Sequence, residues 1–133
     1  MTVDYEKYTE FVNAVTSNES KEYAAFDERL FDLTKDVPVE RLLTAALGIS
    51  AEGGEFTEVV KKIVFQGKPV NKENIFHMKR ELGDICWYLA QACMALGTTF
   101  DEVIEMNVDK LKTRYPGGEF DVHFSENRKE GDL

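Results

Sequence analysis

Apolar residues return at every third or fourth position along most of the chain, and the places where that rhythm stops divide it into helical segments. From Val39 to Phe65 the positions Leu42, Ala46, Ile49, Gly53, Phe56, Val60 and Ile63 follow this spacing, which predicts one long amphipathic helix ended by Gln66-Gly67-Lys68-Pro69. Asn71 is placed to cap a second long helix running to about Leu96 and stopping at Gly97. Thr99, with Glu102 three residues on, forms a capping-box pattern for a further helix through Val103, Ile104, Val108 and Leu111 to Tyr115, closed by Pro116-Gly117-Gly118. Tyr5, Tyr8, Phe11, Val12 and Val15 predict a short first helix over 4–16, with Asp4 as its cap. Residues 17–37 are mixed, and Tyr23, Phe26, Leu30, Phe31 and Leu33 suggest a turn or two of helix within a longer connection.

The prolines Pro38, Pro69 and Pro116 fall where helical periodicity ends, and no segment alternates apolar and polar residues between hairpin turns. The expected fold is all-α, a four- to five-helix bundle in a single domain over 1–133 with a loosely ordered tail at 118–133.

Two acidic signatures interrupt the apolar stripes. In Glu52-Gly-Gly-Glu55, Glu52 shares its side of the helix with Ile49 and Phe56, and Val59 falls between Glu52 and Glu55 at 100° per residue. In Glu81-Leu-Gly-Asp84, the steps His77, Glu81, Asp84, Tyr88 stay on one face beside Met78, Ile85, Ala92 and Leu96. Two unit charges about 4 Å apart repel by roughly 4 kcal/mol at an effective dielectric near 20, so four acids in one pocket must protonate or take a counter-ion. An all-oxygen donor set without cysteine or paired histidine suits Mg²⁺, with Mn²⁺ as a substitute, better than zinc. Glu58 points about 120° away from Glu52 and is held only as an outer or additional ligand.

Gly53, Gly54 and Gly83 lie inside helical patterns, where each costs about 1 kcal/mol relative to alanine. Either something near them needs room, or the helix breaks at 53 and 54, or two helices pack closely there. Asn107, Lys110 and Arg114 form a line on the last long helix that suits phosphate oxygens, or complements the helix dipole. Tyr88 and Trp87 read as core aromatics or, for Tyr88 on the carboxylate line, as a stacking partner for a base. His77 reads as a satisfied surface histidine or a pocket residue.

Composition narrows the function. The 133 residues carry 25 acids against 16 bases, a net charge of −9, and no basic run, which argues against nucleic acid as a partner. Charges at Asp4, Glu6, Lys7, Glu10 and Glu19 leave no long apolar block near the start, so neither a secretory signal nor a membrane span is expected and the location is read as cytoplasmic. Cys86 and Cys93, one heptad apart, are expected to sit as small apolar side chains rather than as a bridge.

The paired signatures, in the contexts EGGEFTEVVKK and ELGDICWYLA and followed by NVDKLKTRYP at Asn107–Pro116, resemble the MazG-like branch of the all-α nucleoside triphosphate pyrophosphohydrolases, relatives of dimeric dUTPases and dCTP pyrophosphatases. The resemblance covers roughly residues 40–116; the segment from Ser17 to Asp36 matches nothing in it. It implies Mg²⁺-dependent cleavage of a nucleoside triphosphate between its α- and β-phosphates, to a nucleoside monophosphate and pyrophosphate. It also implies a homo-oligomer, dimer or tetramer, whose sites draw on more than one subunit. On this reading Glu52, Glu55, Glu81 and Asp84 are metal ligands, and Glu52 or Glu55 is the catalytic base. Asn107, Lys110 and Arg114 bind phosphate and Tyr88 the base.

Two rivals stand beside it. A ferritin-like di-iron centre needs Glu-x-x-His pairs, whereas Asn74 precedes His77 and Phe120 precedes His123. A non-catalytic helical module for nucleotide sensing or oligomerisation shares every feature except turnover.

Overall fold

The computed structural model describes residues 2–132, among which every regular element is helical. Six α-helices follow one another: α1 (Tyr5–Val15), α2 (Tyr23–Leu33), α3 (Val39–Phe65), α4 (Lys72–Leu96), α5 (Phe100–Arg114) and α6 (Val122–Glu126). A 3₁₀ turn at Asn18–Ser20 lies between α1 and α2.

The caps act where the sequence places them. Asp4 accepts from the Lys7 amide at 3.2 Å, Asn71 from the Asn74 amide at 2.9 Å, and Thr99 from the Glu102 amide at 3.2 Å. Each satisfies an amide that the first turn of a helix leaves without a partner. Glu102 does not complete the reciprocal half of a capping box; its carboxylate accepts from the Thr98 hydroxyl instead. Gly97 ends α4 at φ 66°, a left-handed conformation that a side chain would disfavour.

Two elements exceed their expectation. α2 extends over Tyr23–Leu33 rather than a turn or two, and the tail carries α6, capped by Asp121 accepting from the His123 amide at 2.8 Å.

The centre of the chain is a hairpin. α3 and α4 are joined by residues 66–71, where the Lys68 amide reaches back to the Lys62 carbonyl and the Asn74 side chain donates to the Pro69 carbonyl at 2.7 Å. Three facing positions fix the register: Arg41 donates to Gln91 at 2.7 Å, Gly48 meets the ring of Tyr88, and Glu52 meets Glu81 and Asp84. Rising numbers on α3 pair with falling numbers on α4, so the helices are antiparallel. Among the described residues this seam is the one extensive contact between long helices.

The seam is closed by small or slim residues. Ala45, Gly48, Val59 and Ala95 are buried within it, and no large side chain is fully enclosed. The tightest approach is at Gly48, where an added Cβ would lie within 2.0–2.3 Å of Tyr88 ring carbons. The glycines that look costly in the sequence behave otherwise: helix α3 runs unbroken through Gly53 and Gly54, and a Cβ at Gly53, Gly54 or Gly83 would meet open space. Large apolar side chains outside the seam remain exposed, among them Tyr8 and Phe11 on α1, Leu47 and Val64 on α3, and Ile104 and Met106 on α5.

Gly48→Ala is expected to destabilise the chain. Overpacking against Tyr88 costs about 1–3 kcal/mol, partly offset by roughly 1 kcal/mol of helix propensity. Urea denaturation of the single and double variants measures it. In a Tyr88→Ala background the same substitution should instead stabilise.

Candidate metal centre

The antiparallel register brings the first signature on α3 opposite the second on α4. One carboxylate oxygen each from Glu52, Glu81 and Asp84 lie within 4.8 Å of one another. Glu81 is the most enclosed of the three, 9% exposed, while Asp84 opens to solvent. Glu52 is half-buried, as its place on the apolar side of α3 beside Ile49, Phe56 and Val59 requires.

Crowding shows in the acidity of Glu52. Loss of solvation raises its carboxyl above the ordinary value of 4.5. A hydrogen bond shared with Glu81 and the charges of Asp84, Glu81 and Glu55 push it the same way. Three converging oxygens, one of them reluctant to ionise, form a donor set that a hard divalent cation would relieve, so these residues fit such a group.

The structure places the other sequence-selected residues as follows. Glu55, one turn along α3, is exposed and outside the trio, although its charge acts on Glu52. Glu58 is committed to ion pairs with Lys61 at 2.9 Å and Lys62 at 3.2 Å, which hold its carboxyl below the usual range. Tyr88 is anchored in the seam against Gly48, with Trp87 edge-on to its ring at 4.9 Å. His77 is exposed to water and joins Glu81 through Nε2 and Oε1 at 2.9 Å. A histidine four residues before a glutamate on one helix is the sequence signal for that pair.

Asn107, Lys110 and Arg114 lie on α5, which makes at most slight contact with the hairpin helices. Arg114 donates to Asp132 through Nε at 2.6 Å and Nη2 at 2.5 Å, and Lys110 Nζ lies 3.5 Å from the same carboxylate. Asp132 thus ties the tail to α5, a link that nothing in the spacing of the sequence announces. The fork of two charge-assisted bonds holds the Asp132 carboxyl down at about 2 and pushes the Arg114 guanidinium further up. A cavity of about 560 Å³ lies between α5 and residues 129–132, bordered by Asn107, Lys110, Thr113, Lys129 and Asp132. A second, more apolar groove of about 510 Å³ runs between the end of α4 and α5 past Leu89, Cys93, Phe100 and Ile104 to Asn107. Both cysteines are free thiols; Cys93 is half-buried on this groove, but Cys86 faces solvent rather than packing inside.

No helix among the described residues is long and apolar enough to cross a membrane.

An all-helical chain with two opposed acidic signatures defines a narrow class. The family model of the MazG nucleotide pyrophosphohydrolase domain matches residues 40–118, and the chain belongs to that family. It is also 35% identical over 81 residues to the Gene 37 protein of Mycobacterium phage L5, an alignment covering 60% of this chain and 71% of the phage protein. No solved structure matches the chain.

Two outcomes follow from the electrostatics. The raised Glu52 carboxyl favours the folded state while protonated, so without divalent cation that contribution is lost as pH rises past the ordinary value of 4.5. Glu52→Gln should therefore raise the cation-free melting temperature at pH 7 and flatten its decline between pH 4 and pH 7. The depressed Asp132 carboxyl has the opposite sign: its contribution is present above 3.8 and fades as pH falls toward about 2. The hydrogen-exchange protection of residues 128–132, taken relative to the unfolded chain at the same pH, should fall in that window, and Asp132→Asn should produce the same loss of protection at pH 7.

Proposed function

We propose that this protein is a Mg²⁺-dependent nucleoside triphosphate pyrophosphohydrolase, converting a (d)NTP to the (d)NMP and pyrophosphate. The observation that carries the reading is the convergence of Glu52, Glu81 and Asp84 across the α3–α4 seam in a chain of the MazG family.

Glu52, Glu81 and Asp84 would hold Mg²⁺, or Mn²⁺ in its place, with Glu55 of the first signature as the fourth carboxylate. Neutralisation of triphosphate charge and polarisation of a water for in-line attack at the α-phosphorus are what a divalent cation supplies when bound there. A carboxylate of the first signature, Glu52 or Glu55, accepts the proton of that water. Glu55 is the more solvated of the two and carries no shared hydrogen bond of the kind that ties Glu52 to Glu81.

Asn107, Lys110 and Arg114 hold the oxygens of the departing pyrophosphate, where charge-assisted bonds strengthen as negative charge accumulates. Tyr88, fixed against Gly48 one turn beyond Asp84, forms the wall against which the base lies.

The reading includes a homo-oligomer, dimer or tetramer. Its support is the apolar surface that the single chain leaves uncovered on α1, α3 and α5, together with the slight contact of α5 with the acid-bearing hairpin. A second copy would cover the one and complete the other. The reading also assigns the protein to the cytoplasm, where a nucleoside triphosphate substrate would be met.

The test is pyrophosphate release from a panel of ribo- and deoxyribonucleoside triphosphates in Mg²⁺. Activity on at least one is expected, falling by about 100-fold or more in Glu81→Gln and Asp84→Asn. Turnover that survives both substitutions overturns the metal assignment. Tight nucleotide binding with no hydrolysis by the wild type would favour a sensing module.

A further inference from the structure

We infer that His77 is a positioning residue of the cation site: its ring holds the Glu81 carboxylate in the orientation that faces Glu52 and Asp84. The inference rests on the cation site proposed above and adds a residue outside both acidic signatures.

The geometry is local and specific. His77 stands one turn before Glu81 on α4, and its Nε2 lies 2.9 Å from Glu81 Oε1. A carboxylate offers only acceptors, so Nε2 carries the proton and donates. Glu81 is the enclosed member of the trio, with a side chain 12% exposed, whereas His77 is 46% exposed at the rim. The histidine therefore approaches from the solvent side, while Glu52 lies across the seam and Asp84 one turn further along α4.

Oε1 of Glu81 is thereby tied within its own helix, while the carboxylate keeps an oxygen within reach of Glu52 and Asp84. A glutamate has three side-chain torsions, and an untethered one beside Glu52 and Asp84 would swing away from their charge. The His77 donor opposes that swing in two ways: it fixes the rotamer, and it sets a positive hydrogen-bond edge against a carboxylate repelled by two neighbours. Ligating carboxylates that are themselves hydrogen-bonded depend on those partners, whose loss typically weakens metal binding by about 10- to 100-fold. A half-exposed donor belongs at the lower end of that range.

The experiment is calorimetric titration of the full chain with Mn²⁺ alone, without nucleotide. His77→Ala is expected to weaken Mn²⁺ binding about 10-fold, while His77→Gln, whose amide can donate to Glu81 from the same helical position, restores most of it. Glu81→Gln serves as the reference for loss of the ligand itself. A merely structural role would lower the cation-free melting temperature without this difference between Ala and Gln, so melting is recorded beside each titration.

Unchanged Mn²⁺ affinity in His77→Ala, with Glu81→Gln impaired, overturns the positioning role and leaves the cation site standing. Equal weakening in His77→Gln and His77→Ala overturns the hydrogen-bond account. Mn²⁺ binding that is absent in the wild type, or unaffected by Glu81→Gln, overturns the site and the inference together.

Discussion

The register of α3 against α4 is the constraint on which the rest depends. A hairpin can slide by a turn at small cost in apolar burial if its seam is smooth, and this seam is built largely from alanine, valine and glycine. What prevents sliding is Tyr88, whose ring occupies the space that only a glycine at position 48 leaves open. That contact sits one turn from Glu52 on α3 and one turn from Asp84 on α4. The packing lock and the acidic trio are adjacent, so the first sets the spacing of the second.

The trio itself works against the hairpin. Glu52 loses solvation and meets two carboxylates across the seam, with a third along its own helix, and its acidity records the strain. Nearby charges are disposed outward: Glu58 is taken by Lys61 and Lys62, and His77 serves Glu81 from the rim. The lysines of α3, Lys61 and Lys62, lie more than two turns beyond Glu52 and are occupied with Glu58. The acids that converge here lie within the stretch that the MazG family model matches.

Much of this was legible in the sequence because it depends on short-range physics. Helix spans from Val39 to Arg114 and the caps Asp4, Asn71 and Thr99 follow from periodicity and side-chain oxygens within three residues. So did the approach of Glu52 to Glu81 and Asp84, since each lies on an apolar face that had to meet another. Features that depend on register or on distant segments were not legible. The glycines at 53, 54 and 83 attracted attention by propensity, yet the close approach is at Gly48, which only the pairing with Tyr88 selects. Glu55 repeats the helical step of Glu52 but lies on the outer side of the trio, because a step of three residues turns it about 60° from its neighbour. Cys86 has the composition of a core residue and the position of a surface one. The tie from Asp132 to Arg114 spans 18 residues of chain with no periodicity to announce it.

The hairpin topology also dictates an order of assembly. Contacts next to the 66–71 connection close short loops, whereas the Arg41–Gln91 bond joins residues 50 apart, and loop-closure entropy grows with that separation. Zipping from the turn therefore reaches the three acids before it reaches Tyr88 and Arg41. The growing hairpin meets its electrostatic bump midway, with the Gly48–Tyr88 and Arg41–Gln91 contacts still ahead, so ionic conditions around the nascent chain bear on how quickly it folds as well as on what it later does.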